Sequence, residues 1–256
     1  MPACIAWDNF ADDDATVITS TSALPLTPVQ EQLQNVHVGE KWRSNEGNVA
    51  SIVINLGSAR SIDTIALMGV SGNPVTRIRV SATDSTGLTG ERYDSGSAAN
   101  RVTYGYLVAL ITSPVSGRYI RIDLTDSAAD YVEAGRLFVG LRDEFAVNFQ
   151  PGWSASWVDR SRITEGRGGQ TFIDVDNNFR TWDLTFGFLS EDDRNGFVED
   201  IDYNNGAHTD VLLINNPDSS DLGRDCIWGL LESNAVVTQP HVIALFSKTY
   251  RIKERL

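Results

Sequence analysis

Residues 51–69 read SIVINLGSARSIDTIALMG, and this stretch decides the fold class. Val, Ile and Thr are frequent on both sides of a break formed by the Gly and Ser of LGSAR. β-Branched residues favour strands because their stiff side chains pack well on a pleated surface, whereas Gly and Ser favour turns. The stretch therefore predicts two adjoining strands separated by a turn.

Runs of the same kind follow this stretch along the first half of the chain. In RYIRIDLTD (residues 118–126), Ile120, Ile122 and Leu124 alternate with polar residues, which is typical of a half-buried strand. The runs are separated by the turn clusters SGNP, STGLTG, DSGSAAN and SPVSG, and the only helical candidate before residue 141 is TPVQEQLQN. Short strands at regular spacing predict a β-sandwich of the jelly-roll type.

The chain from residue 142 onward gives a different pattern. Residues 170–190 read QTFIDVDNNFRTWDLTFGFLS and predict a long hairpin whose two strands flank a turn at VDNN. In the second of these strands, alternation places Trp182, Leu184, Phe186 and Phe188 on one face.

An amphipathic helix is predicted next, followed by three further strands. Ser190 is its N-cap, Phe197, Val198 and Ile201 form its buried side, and Asn205-Gly206 ends it. We therefore predict a mainly β protein with two domains, a jelly roll over residues 1–141 and an α+β domain with one helix over residues 142–256.

Composition excludes several classes of partner and location. The net charge of −13 argues against sequence-specific nucleic-acid binding and against anionic membranes, because both need clustered Lys and Arg. No run approaches the roughly 20 apolar residues of a membrane-spanning helix, and MPACIAWDNF lacks the pattern of a signal peptide. We expect a soluble protein that is made in a cytoplasm, with Cys4 and Cys226 as buried free thiols.

No catalytic constellation stands out, so we expect no enzymatic activity and no cofactor. The three histidines are far apart in the sequence and form no metal-ligand motif. DVDNNF resembles the start of a calcium loop, but Phe179 occupies the position that needs Gly. The three carboxylates of Asp12 to Asp14 leave two alternatives open, a solvated loop or a site for a hard cation.

The order of KWRS, SIVINLGSARSIDTIALMG, TRIRVSATD, GRYIRIDLTD and EAGRLFVG resembles the galactose-binding-like jelly roll of discoidin and coagulation-factor C-type domains. This resemblance covers roughly residues 6–140. It implies that Trp42 is structural and that the following loop lies at the ligand-binding end. It also implies sugar binding, for which we single out Arg43, Asn73, Arg101, Tyr104 and Tyr106, and a calcium site formed by Asp12, Asp14 and Glu133.

The combination of this jelly roll with a second β-rich domain resembles a minor tail protein of a tailed bacteriophage. The second half is similar to the belt domain of siphophage distal tail proteins. That resemblance implies a homo-oligomeric ring in the virion tail tip or baseplate, assembled in the host cytoplasm, with the tail tube and hub as neighbours and a host-surface glycan as a further ligand.

Three functions follow from these patterns and resemblances. The first is a structural tail component that displays a carbohydrate-binding-like domain, which the small polar loops STGLTG and DSGSAAN favour. The second is a module that binds a host glycan, and the third is an accessory subunit of a carbohydrate-active enzyme. The first is our sequence-based prediction and the second is its main alternative.

Overall fold

The computed structural model describes residues 2–45, 47–96, 102–232, 235–240 and 245–256. In chain order the strands are β1 (Cys4–Ala6), β2 (Val17–Ser20), β3 (Trp42–Arg43), β4 (Val49–Met68), β5 (Val75–Ser81), β6 (Glu91–Asp94), β7 (Leu107–Thr125), β8 (Glu133–Ala134), β9 (Arg136–Gly140), β10 (Asp143–Glu144), β11 (Ser154–Val158), β12 (Arg162–Glu165), β13 (Thr171–Asp174), β14 (Phe179–Leu189), β15 (Val211–Ile214), β16 (Cys226–Leu231) and β17 (Phe246–Glu254). The α-helices are α1 (Val29–Leu33) and α2 (Glu191–Asp193). The protein is mainly β, which confirms the predicted fold class.

The chain forms two compact units. Unit 1 comprises Met1–Phe145, Val211–Cys226 and Leu256, and unit 2 comprises Ala146–Asp210 and Ile227–Arg255. Unit 1 includes β15, which pairs with β1 although some 200 residues of sequence separate Cys4 from its partner Ile214. The predicted ranges have a single boundary after residue 141, whereas unit 1 also includes a later segment of the chain. The predicted domain ranges stay a prediction.

The jelly roll of unit 1 is built around the long strands β4 and β7. One sheet has the order β2–β4–β7–β5–β6, and β9 pairs with the second half of β4. The register between β4 and β7 shifts between Asn55 and Arg60, where Gly57 has a φ of 76°. Because β4 lies beside β2 before this bend and beside β9 after it, the same strand pair contributes to both layers of the sandwich.

The core of unit 1 follows the predicted alternation. Ile120, Ile122 and Leu124 are fully buried, and they pack in one cluster with Ile52, Ile54 and other residues of β4. A fully buried aliphatic side chain contributes about 1.5–3 kcal/mol relative to an exposed one. The period-two pattern of the sequence therefore corresponds to the inner face of the sheet.

Unit 2 contains a sheet segment with the order β16–β17–β14–β11. Trp182, Leu184 and Phe186 are buried on one face of β14, as the sequence predicts. Phe188 is instead exposed, because the register between β14 and β17 shifts between Phe186 and Leu189 and turns the next side chain outward. The prediction that Phe188 shares the buried face was therefore wrong.

The helical segment of unit 2 begins and ends where the sequence indicates. Ser190 forms a capping box with Asp193, Val198 and Ile201 are buried, and Gly206 ends the segment with a φ of 52°. Only its first turn is α-helical, and Arg194–Val198 and Ile201–Asn205 are π-helical. Among the described residues, no helix is long and apolar enough to span a membrane.

The predicted hairpin around VDNN is not formed. β13 pairs with β12, and β14 pairs with β11 and β17, so the chain does not reverse at residues 175–178. The reversal lies at GRGGQ, where the N–H of Gly166 donates to the carbonyl of Gln170 and Gly169 has a φ of 75°. A glycine accepts this positive φ without strain, whereas VDNN contains no glycine. We call residues 154–178 the arm: β11 pairs with β14, and beyond it β12 and β13 form a two-stranded ribbon.

Candidate functional site

Four segments of unit 1 meet at one edge of the sandwich, and we call this edge the rim. They are the β3 region at residues 41–45 and 47–48, the loop at 69–74, the turn at 102–106 and the segment 126–133. Backbone hydrogen bonds join them: Val70 N–H to the carbonyl of Gly105, Ser71 N–H to that of Glu133, and Asp126 N–H to that of Asn48. The ends of β4, β5 and β7 place these segments together, because Val49 and Val75 both pair with Thr125.

The short strands β3 and β8 decide which side chains point outward. Trp42 pairs with Ala134 and Arg43 pairs with Glu133, so alternation sends the first pair inward and the second pair outward. Trp42 is completely buried, and its indole N–H donates to the carbonyl of Ser22 at 3.1 Å. The tryptophan is therefore a core residue and the arginine a rim residue, as the sequence resemblance implies.

Glu133 is the centre of a polar network on the rim. Its Oε2 accepts from Nε and Nη2 of Arg43 at 3.1 and 2.8 Å, and its Oε1 accepts from Nζ of Lys41 at 3.2 Å and from the hydroxyl of Ser71. Burial by itself raises the pKa of the Glu133 carboxyl, but the hydrogen bonds from Ser71 and Arg43 and the charge of Lys41 hold that pKa below its usual value. The carboxylate thus stays ionised and fixes the position of Arg43.

Arg43 also stacks on an aromatic ring. Its guanidinium carbon lies 3.9 Å from the ring centroid of Tyr131, within the range of a cation–π contact. The Arg43 side chain is 42% exposed and Tyr131 is 39% exposed. The pair therefore presents a planar, partly apolar surface with free donor capacity toward solvent.

Tyr104 extends the rim from a strained turn. Thr103 and Tyr106 exchange backbone hydrogen bonds around Tyr104 and Gly105, whose φ angles are 54° and 77°. A positive φ is unfavourable for a residue with a Cβ, and such strain is often found at functional sites. The Tyr104 ring is 48% exposed, and the guanidinium of Arg224 lies 5.5 Å from its centroid.

The remaining sugar-binding candidates have different positions. Asn73 is exposed on the rim, and its N–H donates to Oδ2 of Asp126 at 3.3 Å. Tyr106 is buried, so the turn that exposes Tyr104 turns its ring toward the core, and it presents no surface to a ligand. Arg101 lies outside the described residues. The structure thus brings Arg43, Asn73 and Tyr104 to the same rim.

The predicted calcium ligands do not form a metal site. Glu133 is held by Lys41 and Arg43, while Asp12 is paired with Arg136, whose Nη1 lies 2.7 Å from Oδ1. Asp14 is exposed. Within the described ranges, no group of three or more His, Cys, Asp or Glu side chains is placed to hold a metal ion. Arginine and lysine neutralise Glu133 and Asp12, so these two carboxylates do not fit a bound cation, and we derive no role for calcium.

Sequence reasoning missed three members of the rim, namely Lys41, Ser71 and Tyr131, and one residue that contacts it, Arg224. Lys41 and Tyr131 could have been found, because each lies two residues before a rim residue of β3 or β8 and therefore on the same side of the strand. No local pattern indicates Ser71. Arg224 reaches Tyr104 from a segment more than 100 residues later, which only the folded chain shows.

No protein-family model matches the sequence, and no curated protein matches it. Solved structures similar to about half of the chain include three carbohydrate-binding modules. The family 32 module of NanJ from Clostridium perfringens, in complex with galactose, is 17% identical with a TM-score of 0.41, covering 54% of this chain and 100% of the module. A second family 32 module from Clostridium perfringens, CpGH89CBM32-5 in complex with GalNAc-β-1,3-galactose, is 14% identical with a TM-score of 0.43, covering 52% and 100%.

The third is chitosan-binding module 1 of a chitosanase/glucanase from Paenibacillus sp. IK-5. It is 19% identical with a TM-score of 0.44, and the match covers 52% of this chain and 99% of the module. Galactose, GalNAc-β-1,3-galactose and chitosan are named for those modules and not for this chain.

Proposed function

We propose that the protein is a carbohydrate-binding module and that the rim of unit 1 is its binding site. The observation that carries the proposal is the stacked pair of Arg43 and Tyr131, which is exposed and locked in place by Glu133. Sugar sites combine an aromatic face, which packs on the C–H groups of the ring, with planar polar groups that bind its hydroxyls. The proposal assigns no catalytic step to the chain.

The rim supplies the polar part of such a site as well. Nη and Nζ donors of Arg43 and Lys41 and the amide of Asn73 suit sugar hydroxyls, which both donate and accept. Tyr104 adds a second exposed ring. Because Glu133 compensates much of the charge of Lys41 and Arg43, the rim favours a neutral sugar over a highly anionic one.

The test is calorimetric titration of the full chain with galactose, N-acetylgalactosamine and chitosan oligosaccharides. We expect millimolar to micromolar binding of one sugar class and a loss of about fivefold to tenfold in affinity in Tyr131→Ala, since a stacking ring contributes about 1–1.4 kcal/mol. Tyr119→Ala is the matched control, because Arg118 lies 5.0 Å from the Tyr119 ring in the same unit but away from the rim. Equal losses in both variants, or binding to none of the sugars, would refute the proposal.

The arm favours a second function, that of a self-assembling structural subunit. β11, β12 and β13 are exposed along their whole length, and Trp157, Ile163, Phe172, Ile173 and Val175 are among the exposed side chains. A two-stranded ribbon is at best marginally stable in water unless a further layer covers it. We propose that the arm is covered by other copies of the chain, in an assembly such as the ring of a phage tail tip or baseplate that displays unit 1.

This second function is tested by shortening the arm. Val158 and Phe179 are paired partners, so replacing residues 159–178 by Asn-Gly closes β11 and β14 with a two-residue turn. Light scattering should show an oligomer for the full chain and a monomer for the shortened chain. A full chain that is monomeric at high concentration would rule out assembly through the arm, and it would leave sugar binding at the rim unaffected.

A further inference from the structure

The two edges of the arm carry opposite charges on the same face. In the pairing of β12 with β13, Arg162 lies opposite Asp174, and Nε of Arg160 lies 3.6 Å from Oδ2 of Asp176. On this face of the arm, the charged residues before the turn at GRGGQ are Arg160 and Arg162, and those after it are Asp174 and Asp176. Glu165, the carboxylate of β12, occupies a position of the other parity and therefore faces the opposite side.

Within the described residues, β12 and β13 pair only with each other, so the outer edge of each is unpaired. Charged side chains on an edge strand usually prevent contact between sheets. In this arm, the charged side chains oppose contact only between two edges that carry the same sign of charge. An edge with Arg160 and Arg162 repels a second copy of itself but attracts an edge with Asp174 and Asp176.

From this arrangement we propose that the arms of neighbouring copies pair edge to edge, with β12 of one copy beside β13 of the next. This inference rests on the self-association proposed above for the arm. In the register that β12 and β13 already use, Arg162 of one copy would lie beside Asp174 of the next copy. Ile163 would lie beside Ile173 of that copy, continuing the pair that they form within one arm.

The alternative, a two-fold pairing of two β12 strands, fits less well. Residues opposite each other in an antiparallel pair point to the same side, so Arg162 could meet Arg160, Arg162, Thr164 or Gly166 of the second copy, but never Glu165. It would also leave both β13 edges unpaired. Head-to-tail pairing uses both edges, and contacts of this kind close into a ring or continue as a filament.

The net charge of the arm is compatible with this assembly. The chain as a whole carries −13, which opposes association of like copies. Residues 154–178 contain three arginines and four carboxylates, a net charge of −1. The arm is thus a nearly neutral and partly apolar segment of an acidic protein.

The test reverses one charge on each edge in the full chain. We expect Arg162→Asp and Asp174→Arg, each alone, to weaken self-association roughly tenfold or more, because an attraction between copies becomes a repulsion. An equimolar mixture of the two variants should regain the association, since the aspartate edge of the first meets the arginine edge of the second. The double variant Arg162→Asp/Asp174→Arg should associate like the unchanged chain, because both edges are exchanged together.

Arg92→Asp is the matched control, because Arg92 is an exposed arginine on β6 of unit 1. It should leave the mass measured by light scattering unchanged. A circular-dichroism melt of each variant shows whether the fold is retained. The mixing experiment is informative even without this melt, because two variants that fail to fold would not restore association when they are mixed. A monomeric unchanged chain would refute self-association itself. An oligomer that persists in both single variants, or a mixture that does not recover, would refute only the pairing of the edges.

Discussion

The guanidinium carbon of Arg43 lies 3.9 Å from the centre of the Tyr131 ring, while Nη2 of the same arginine donates to Glu133 at 2.8 Å. One planar group thus stacks and forms two hydrogen bonds at the same time. Arginine can do this because its donors lie in the plane of the guanidinium, whereas the ammonium of lysine is a compact point charge.

Arg43→Lys should therefore weaken sugar binding although it preserves the charge. We expect an affinity loss of roughly fivefold to tenfold, because the lysine cannot cover Tyr131 and hold Glu133 together. Calorimetric titration with the sugar that the unchanged chain binds measures this loss. Arg118→Lys, on the Tyr119 ring, provides the matched control. Unchanged affinity in Arg43→Lys would show that the stack contributes nothing to the site.

Tyr104→Asn should stabilise the protein. Tyr104 has a φ of 54° and is followed by Gly105, and Asn-Gly is the preferred pair for a turn with positive φ at both central residues. We expect the free energy of unfolding to rise by about 0.5–1 kcal/mol, with sugar affinity lowered by loss of the ring. Urea denaturation measures the first effect. A destabilised variant would mean that contacts of the ring, including that with Arg224, outweigh the backbone strain.

The Glu133 carboxyl should make stability depend on pH in the acidic range. Its folded-state pKa lies below the ordinary value of 4.5, so its contribution is fully present above that pH and is lost as the pH falls through the folded-state value. Glu133→Gln should therefore lower the melting temperature at neutral pH, and the difference from the unchanged chain should shrink as the pH drops below 4.5. Thermal melts at several pH values across this range measure the difference in melting temperature. A difference independent of pH would contradict an ionised Glu133 as the source of the effect.

The buried pair of Arg180 and Glu254 should be the most sensitive ion pair of unit 2. Both side chains are buried, and Nη2 of Arg180 lies 2.7 Å from Oε1 of Glu254. Glu254→Gln removes a negative charge that lies beside a buried guanidinium and should cost about 3 kcal/mol or more in the free energy of unfolding.

The control for this pair lies in the same sheet. Arg251 and Asp183 form an equally short ion pair of 2.7 Å, but the arginine is largely exposed. Asp183→Asn should cost less than about 1 kcal/mol, because water screens an exposed pair. Similar losses in both variants, measured by urea denaturation, would show that burial does not set the strength of these pairs.

Much of the rim and of the fold was open to sequence reasoning, because strands alternate. The resemblance implied a structural Trp42 and placed Arg43 at the ligand-binding end, and the buried Ile120, Ile122 and Leu124 follow from alternation along one strand. The sequence did not show that Lys41, Arg43 and Arg136 neutralise Glu133 and Asp12, two of the three predicted calcium ligands. Such ion pairs depend on loops that are distant in the sequence.

The sequence alone determined that the chain is mainly β and that a helical segment begins after Ser190, because these properties depend on neighbouring residues. The tertiary structure decided which strands pair: β13 joins β12 rather than β14, and β15 joins β1. It also brought Tyr131 onto Arg43 and placed Arg162 opposite Asp174. The physical reason is that pairing and stacking depend on contacts between segments far apart in the chain, which a local pattern of apolar and polar residues does not specify.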